Sequence, residues 1–339
     1  MFGYQMSEYD KIVYAEQLQD FLPASMVDCH THIWKKEFGG QIPAKGCVAW
    51  TRMVAKECTA EDLLQTYRDL FPGKQVKPIL MGQPEADLSK TNHYTWESAQ
   101  KHSLPALYCT DYAMSPEFLE EEVIRGGFAG LKPYLNNSPS YVPANEVRIF
   151  DFLPPEHLRL ADHHGWIIML HIPRPMRLRD PMNIVQMMEI EEKYPNAKVI
   201  IAHIGRAYAE EDIGDAFRIL KNTKNMMFDF TANTLDRAMI ACIEAVGPKR
   251  FMFGSDLPIV KMRMYRTTEK GFYYNHVPRG LYGDVSADPH MIETDEKNIT
   301  NFLYEELLAF KRAAQALRLS KEDIKDILCR NAERLFGFL

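Results

Sequence analysis

Short apolar runs, each closed by a polar, Gly or Pro residue and followed by a longer stretch of helical periodicity, recur along the 339-residue chain. Eight of them read as strands: "MVDCHTHIW", "VKPILMGQ", "PALYCTDY", "GFAGLKPYL", "WIIMLHIP", "KVIIAHIG", "MMFDFTAN" and "FMFGSDLP". Their near-continuous apolar character suits parallel strands buried on both faces. From the third onward the spacing is that of a strand plus a crossover helix. Eight such units predict an α/β fold, a (β/α)8 TIM barrel forming a single domain over 1–339, with a helical N-terminal extension over 1–25.

The segments between strands carry helix signals. "DPMNIVQMMEIEEKYP" opens with Asp180 and Pro181 and has Pro195 beyond its end, and "AEEDIGDAFRILKNT" has acids in its first turn and lysines late. Residues 34–75 are too many for one crossover, so an insertion containing the helix "TAEDLLQTYRDLF" is expected after the first strand. A second insertion after the eighth strand, "RTTEKGFYYNHVPRGLYGDVSADPHMIE", reads as an aromatic loop. The terminal "LSKEDIKDILCRNAERLFGFL" reads as a packed helix, with Ser320 as N-cap, Asp323 at capping-box spacing and Gly337 as its stop.

Composition narrows the partners. Hydrophobic residues at 46% and charged residues at 25% are ordinary for a soluble globular chain, and a net charge of −6 without a basic stripe argues against nucleic acid. A small-molecule substrate is expected instead. The six cysteines lack CxxC spacing and read as free thiols. With no secretory signal pattern and no apolar run long enough to span a bilayer, the expected location is the cytoplasm, away from membranes.

The chemistry concentrates at strand ends. Side chains alternate along a strand, so His30 and His32 should share one face and Cys29 and Thr31 the other. An HxH alone is equally well a solvated polar strand end. In a barrel, however, the active site lies at the C-terminal ends of the strands, and those ends carry His30 and His32, Lys132, His171, His203 and Asp256. Four of the eleven histidines fall on this one ring, and neutral imidazoles with a carboxylate are the donors that a borderline divalent ion such as Zn2+ takes. The cluster reads as a hydrolytic metal site.

The chain resembles the amidohydrolase superfamily in its HxH on the first strand, its histidines ending strands five and six and its aspartate ending strand eight. "DCHTHIW", "GLKPY", "IIAHIGRA", "FGSDLP" and "ILCRNAERLFGF" are similar to its amidohydrolase-2 branch, which includes the aminocarboxymuconate-semialdehyde decarboxylase relatives. The resemblance implies that His30, His32, His171 and Asp256 bind one divalent metal, most often zinc, with manganese or iron as alternatives. His203 then stands beside the metal, polarising a substrate oxygen or shuttling a proton, and Asp256 doubles as general acid–base. Some members carry a carboxylated lysine that bridges two metals. That alternative would make Lys132 and His203 ligands of a second ion. A homo-oligomer is a family-level expectation only.

Other positions are more open. Asp28 shares parity with His30 and either orients an imidazole or is a buried structural carboxylate. Arg174 and Arg206 lie where a substrate carboxylate could be gripped, or are solvated loop arginines. Trp34, Tyr134, Arg52 and "GFYYNH" line the pocket or pack. His276 and His290 are not expected to ligate. The implied reaction is hydrolysis of a C–N or C–O bond (amide, cyclic amide, lactone or ester) in a small carboxylate-bearing substrate; the alternative is nonoxidative decarboxylation of an aromatic or unsaturated acid.

Overall fold

All eight expected strands form, and they run in parallel. The computed structural model describes residues 5–39, 54–83 and 86–338. In chain order the barrel strands are β1 (Ser25–His32), β2 (Gln75–Met81), β3 (Tyr108–Thr110), β4 (Gly130–Pro133), β5 (Ile167–Leu170), β6 (Lys198–Ile201), β7 (Met227–Asp229) and β8 (Phe251–Met252). β1 pairs with β2, and β3 to β8 form a second sheet in sequential order. Parallel bridges between Leu80 and Ala106 and between Thr31 and Leu257 join the two sheets at both edges. The second junction is reinforced by Cys29 N–H to Phe253 O (3.0 Å), Asp256 N–H to His30 O (2.8 Å) and His32 N–H to Leu257 O (2.7 Å). These bonds place the first and last strands, and so the first histidines and the last aspartate, side by side.

Alternate strand positions, among them Val27, Cys29, Ile79, Met81, Leu107, Ile167, Met169, Ile200 and Met252, pack into one apolar cluster that is the barrel interior. Cys329, Ala332 and Phe336 of the terminal helices join it. Those helices start at Ser320, whose side chain makes the expected capping box with Asp323, and stop at Gly337 in the left-handed region (φ 73°). The larger cluster fills the space between strands and helices.

The first insertion carries the helix Ala60–Leu70, started by a Thr59/Asp62 capping box. The N-terminal extension is helical over Glu8–Val13 with a wider turn over Tyr14–Leu18. It is tied to the segments flanking the second insertion by Asp10, fully buried, which accepts from Arg263 (Nη1, 3.1 Å) and Thr300 (2.7 Å). The five described cysteines are free and buried; Cys47, like Arg52, lies outside the described residues.

Two expectations need correction. The stretch "AEEDIGDAFRILKNT" is two short helices, Glu210–Ile213 and Ala216–Leu220, because Gly214 turns to φ 48°, ψ −138° between them. The aromatic insertion after β8 is a sheet. β9 (Tyr265–Glu269) and β10 (Phe272–Pro278) are antiparallel, and β11 (Met291–Thr294) is parallel to β10. The two-residue connection Lys270–Gly271 has positive φ at both positions (49° and 78°), the geometry whose twist matches a hairpin.

Candidate metal centre

The strand ends bring three imidazoles to one carboxylate. A single ligand atom from each of His30, His203 and Asp256 lies within 4.8 Å of the others. Asp256 Oδ1 is 3.7 Å from His30 Nε2 and 3.4 Å from His32 Nε2. The His30 ring centroid lies 5.0 Å from that of His203, which lies 5.2 Å from that of His171. His203, read from the sequence as standing beside the metal, is thus as close to Asp256 and His30 as a ligand would be.

Each imidazole is held by its other nitrogen. His30 Nδ1 is 3.0 Å from Asp229 Oδ2, His32 Nδ1 is 2.9 Å from Gly82 O, and His203 Nδ1 is 3.0 Å from Thr231 O. An Nδ1–H donated to those acceptors leaves Nε2 with the lone pair, the arrangement that prepares histidine for a metal, although at His30 that nitrogen is met by Lys132 Nζ (3.2 Å). His171 Nδ1 is buried with no partner among the described residues, so its ring beside His203 keeps a nitrogen unsatisfied, while the His30, His203 and Asp256 ligand atoms group without it. These observations fit a divalent ion.

Burial sets the charge states. It holds His30 and His171 well below the ordinary imidazole range, helped by Lys132 at His30 and by Arg206 at His171, and it lowers His203 as well. Burial pushes Asp256 the other way, but the neighbouring His32, His203 and His30 outweigh it, and its carboxyl ends below the usual range. Neutral His30, His171 and His203 beside an ionised carboxylate are the protonation states a metal needs.

The backbone here is unusual. Of nine non-glycine residues with positive φ among the described residues, six (Arg177, His203, Ile204, Arg206, Ala232 and Asp256) follow β5 to β8. Left-handed backbone costs energy at such residues, and clusters of it mark sites where side-chain aim matters more than local comfort. At Gly254 a Cβ would meet Thr231 Oγ1 at 2.4 Å and His30 Cβ at 2.8 Å, so glycine is what lets β8 approach β1 and β7.

Asp229 is the residue that strand-end reading missed. Fully buried, it holds the His30 ring through one oxygen and accepts the His203 backbone N–H through the other (2.7 Å). A lone acid inside the apolar "MMFDF" was the available signal. Asp28, by contrast, touches no imidazole. The β1–β2 register shifts between Asp28 and Thr31, and this bulge breaks the parity with His30. Asp28 instead accepts from Tyr67 OH (2.6 Å) and from the backbone N–H of His30 (3.2 Å) and Ser255 (2.9 Å), a structural carboxylate pushed up to about 7 by burial.

Lys132 is buried, with Nζ 3.2 Å from His30 Nε2 and 5.7 Å from the Tyr134 ring centroid; that ring is 5.2 Å from His171. Lys132 and Tyr134 therefore border the donor ring. Arg206 turns back on the chain, its Nη1 on the carbonyls of Ile172, Pro173 and Arg174 (3.2–3.4 Å). Arg174 Nε lies 3.5 Å from Asp180. Trp34 is buried against the first insertion and donates to Lys56 O (3.2 Å). His276 bonds Thr267 Oγ1, and His290 bonds the Tyr273 carbonyl and stacks on its ring; neither joins the donor ring.

Comparison with known proteins agrees with this architecture. A probable 2-pyrone-4,6-dicarboxylic acid hydrolase from Acinetobacter baumannii with citric acid bound superposes with a TM-score of 0.59 at 17% identity, covering 92% of this chain and 99% of its own. An amidohydrolase from Burkholderia multivorans with bound zinc gives 0.59 at 14% identity, covering 93% and 99%. A dihydroxybenzoic acid decarboxylase from Polaromonas with bound manganese and the inhibitor 2-nitroresorcinol gives 0.55 at 16%, covering 93% and 98%. At these identities the likeness establishes the fold alone. No curated relative matches the chain in sequence. The amidohydrolase family profile matches residues 27–338, nearly the whole length. The chain belongs to the amidohydrolase family, a family of enzymes.

Proposed function

We propose that this protein is a metal-dependent hydrolase that adds water across a C–N or C–O bond (amide, cyclic amide, lactone or ester) of a small carboxylate-bearing molecule. The observation that carries the reading is the convergence of His30, His32 and His203 on Asp256, each ring held at Nδ1 by a separate acceptor. His30, His32, His171 and Asp256 would hold one divalent ion, zinc first, with manganese or iron as alternatives. When bound there, such an ion supplies Lewis acidity and brings the pKa of water toward neutrality.

Asp256 is ionised and aimed at the donor ring, so it can take a proton from the attacking water and pass it to the leaving group. His203 is held neutral by burial, with Nδ1 on Thr231 O, and presents Nε2 to polarise the substrate oxygen or carry a proton. Lys132 borders the ring and would orient a substrate oxygen in the one-metal reading. Carboxylation of Lys132 is the two-metal alternative. Both a hydrolase and a decarboxylase stand among the structural relatives, so proton delivery to carbon with CO2 release is the second reading.

Asp256→Asn tests the role of the carboxylate: it should keep the fold and lose turnover by about 10²-fold or more. Full activity in that variant would remove Asp256 from the mechanism. Incorporation of solvent oxygen into product identifies hydrolysis, whereas CO2 released without water consumption identifies decarboxylation. A small-molecule substrate, a cytoplasmic location and a homo-oligomeric state complete the proposal. Among the described residues, no helix is long and apolar enough to cross a membrane.

A further inference from the structure

One aromatic ring away from His203 lies a second cluster that the metal centre does not use. The Tyr208 ring centroid is 6.2 Å from that of His203 and 5.3 Å from that of Tyr273. Two guanidinium groups share these two rings. Arg177 Cζ lies 5.4 Å from the Tyr208 centroid and 5.3 Å from that of Tyr273; Arg266 Cζ lies 5.2 Å and 4.4 Å from them. Arg177 comes from the loop after β5, in left-handed backbone, and Arg266 from β9 of the inserted sheet.

The charges do not balance. Arg177 is paired with Asp212, whose Oδ2 is 2.6 Å from Nη1 and also accepts the backbone N–H groups of Tyr208 and Ala209. Arg266 donates to neutral oxygens, Asn275 Oδ1 and Ala232 O, both at 2.9 Å, and among the described residues no carboxylate is in ion-pair contact with it; the one nearby acid that acts on it, Glu306 on the Ala232 N–H, is itself pushed toward its neutral form by burial. It is partly buried beside a second cation. A guanidinium in that position is unfavourable until an anion reaches it, and its planar fork suits a carboxylate.

We propose that Arg266, with Arg177 beside it and Tyr208 and Tyr273 as its platform, is an anion subsite that binds a carboxylate on the end of the substrate remote from the bond that breaks. The inference rests on the reading of the His203 centre as the reaction site. It also gives the inserted sheet a purpose: β9 brings to the mouth of the barrel a charge that the barrel loops do not supply. Arg174 and Arg206, engaged with Asp180 and with loop carbonyls, do not provide it.

The test is calorimetric binding of 3-carbamoylbenzoate, of benzamide, which lacks the carboxylate, and of inorganic phosphate, at millimolar concentration, to the metal-loaded protein and to Arg266→Gln and Arg266→Met. Arg266→Gln keeps a donor for the Ala232 carbonyl while removing the charge, so it guards against a folding defect. The wild type should bind 3-carbamoylbenzoate about tenfold more tightly than benzamide, the difference of one charge-assisted hydrogen-bonded pair. Both variants should lose that difference and keep benzamide affinity. Equal affinities in the wild type, an unchanged difference in Arg266→Gln, or no binding of either anion would overturn the subsite. Binding is read without turnover, so anion binding in a protein that hydrolyses nothing would overturn the reaction and leave the subsite standing.

Discussion

Asp229 Oδ2 stands 3.0 Å from His30 Nδ1, and the pair joins the end of β7 to the end of β1 across the barrel mouth. Through its other oxygen Asp229 accepts from the His203 backbone, so one buried carboxylate aims two members of the donor ring. Asp229→Asn is nearly isosteric but no longer a charged acceptor for the His30 N–H. It should weaken zinc affinity about 10- to 100-fold, as loss of such a partner commonly does, with little change in circular dichroism. Competition with a chromophoric chelator measures this, and unchanged affinity would mean that Asp229 is only structural.

Gly254 is expected to tolerate no side chain. The added methyl of Gly254→Ala would press on Thr231 and on His30 Cβ, which belongs to the site itself. Thermal denaturation should show a loss of about 1–3 kcal/mol, accompanied by a fall in turnover larger than any change in KM. Wild-type behaviour would show that β1 and β8 separate more easily than their bonds suggest.

How much of this was legible in the sequence follows from the physics of each element. The eight strands announced themselves because parallel strands buried on both faces need unbroken apolar runs, and His171 and His203 were found because those runs end in histidine. Asp28 stayed open between an imidazole partner and a structural carboxylate because parity fails across a bulge, which no residue in "DCHTH" signals. The sheet after β8 was hidden by its many charges, although Lys270–Gly271 between alternating residues was a hairpin cue. Which arginines face a ligand could not be read at all, since Arg206 turning to carbonyls and Arg266 stacking on tyrosines depend on loop geometry.

Acid sensitivity should begin at the N-terminal extension. Burial opposes ionisation of Asp10, but hydrogen bonds from Arg263, Ser7 and Thr300 outweigh it and hold its carboxyl below the ordinary range. A depressed folded-state pKa contributes stability that is present above the unfolded value and lost as pH falls through the folded one. Asp10→Asn should therefore destabilise the protein at neutral pH by about 3–5 kcal/mol, the scale for breaking a buried ion pair, and the gap should close below the ordinary aspartate range. Denaturant melts from pH 7 downward measure it; a gap independent of pH would contradict the ion pair.

Glu306 should behave in the opposite sense. It is fully buried, one oxygen accepts Ala232 N–H (2.7 Å) and the other has no partner among the described residues. Burial, then the nearby Asp28, pushes its carboxyl well up, so stability should decline as pH rises above the unfolded glutamate range toward the folded value. Glu306→Gln removes that titration. Its stability relative to wild type should rise with pH, whereas Glu306→Ala, which leaves Ala232 N–H unpaired, should lose about 1–3 kcal/mol. A glutamine variant that becomes relatively less stable with rising pH would contradict a protonated Glu306.

The most direct test is elemental analysis of divalent metal per chain on protein purified without chelator, alongside His30→Ala. About one zinc, manganese or iron ion per chain is expected in the wild type, lost from the variant together with turnover. No bound metal after resupply, or full retention in His30→Ala, would contradict the metal centre.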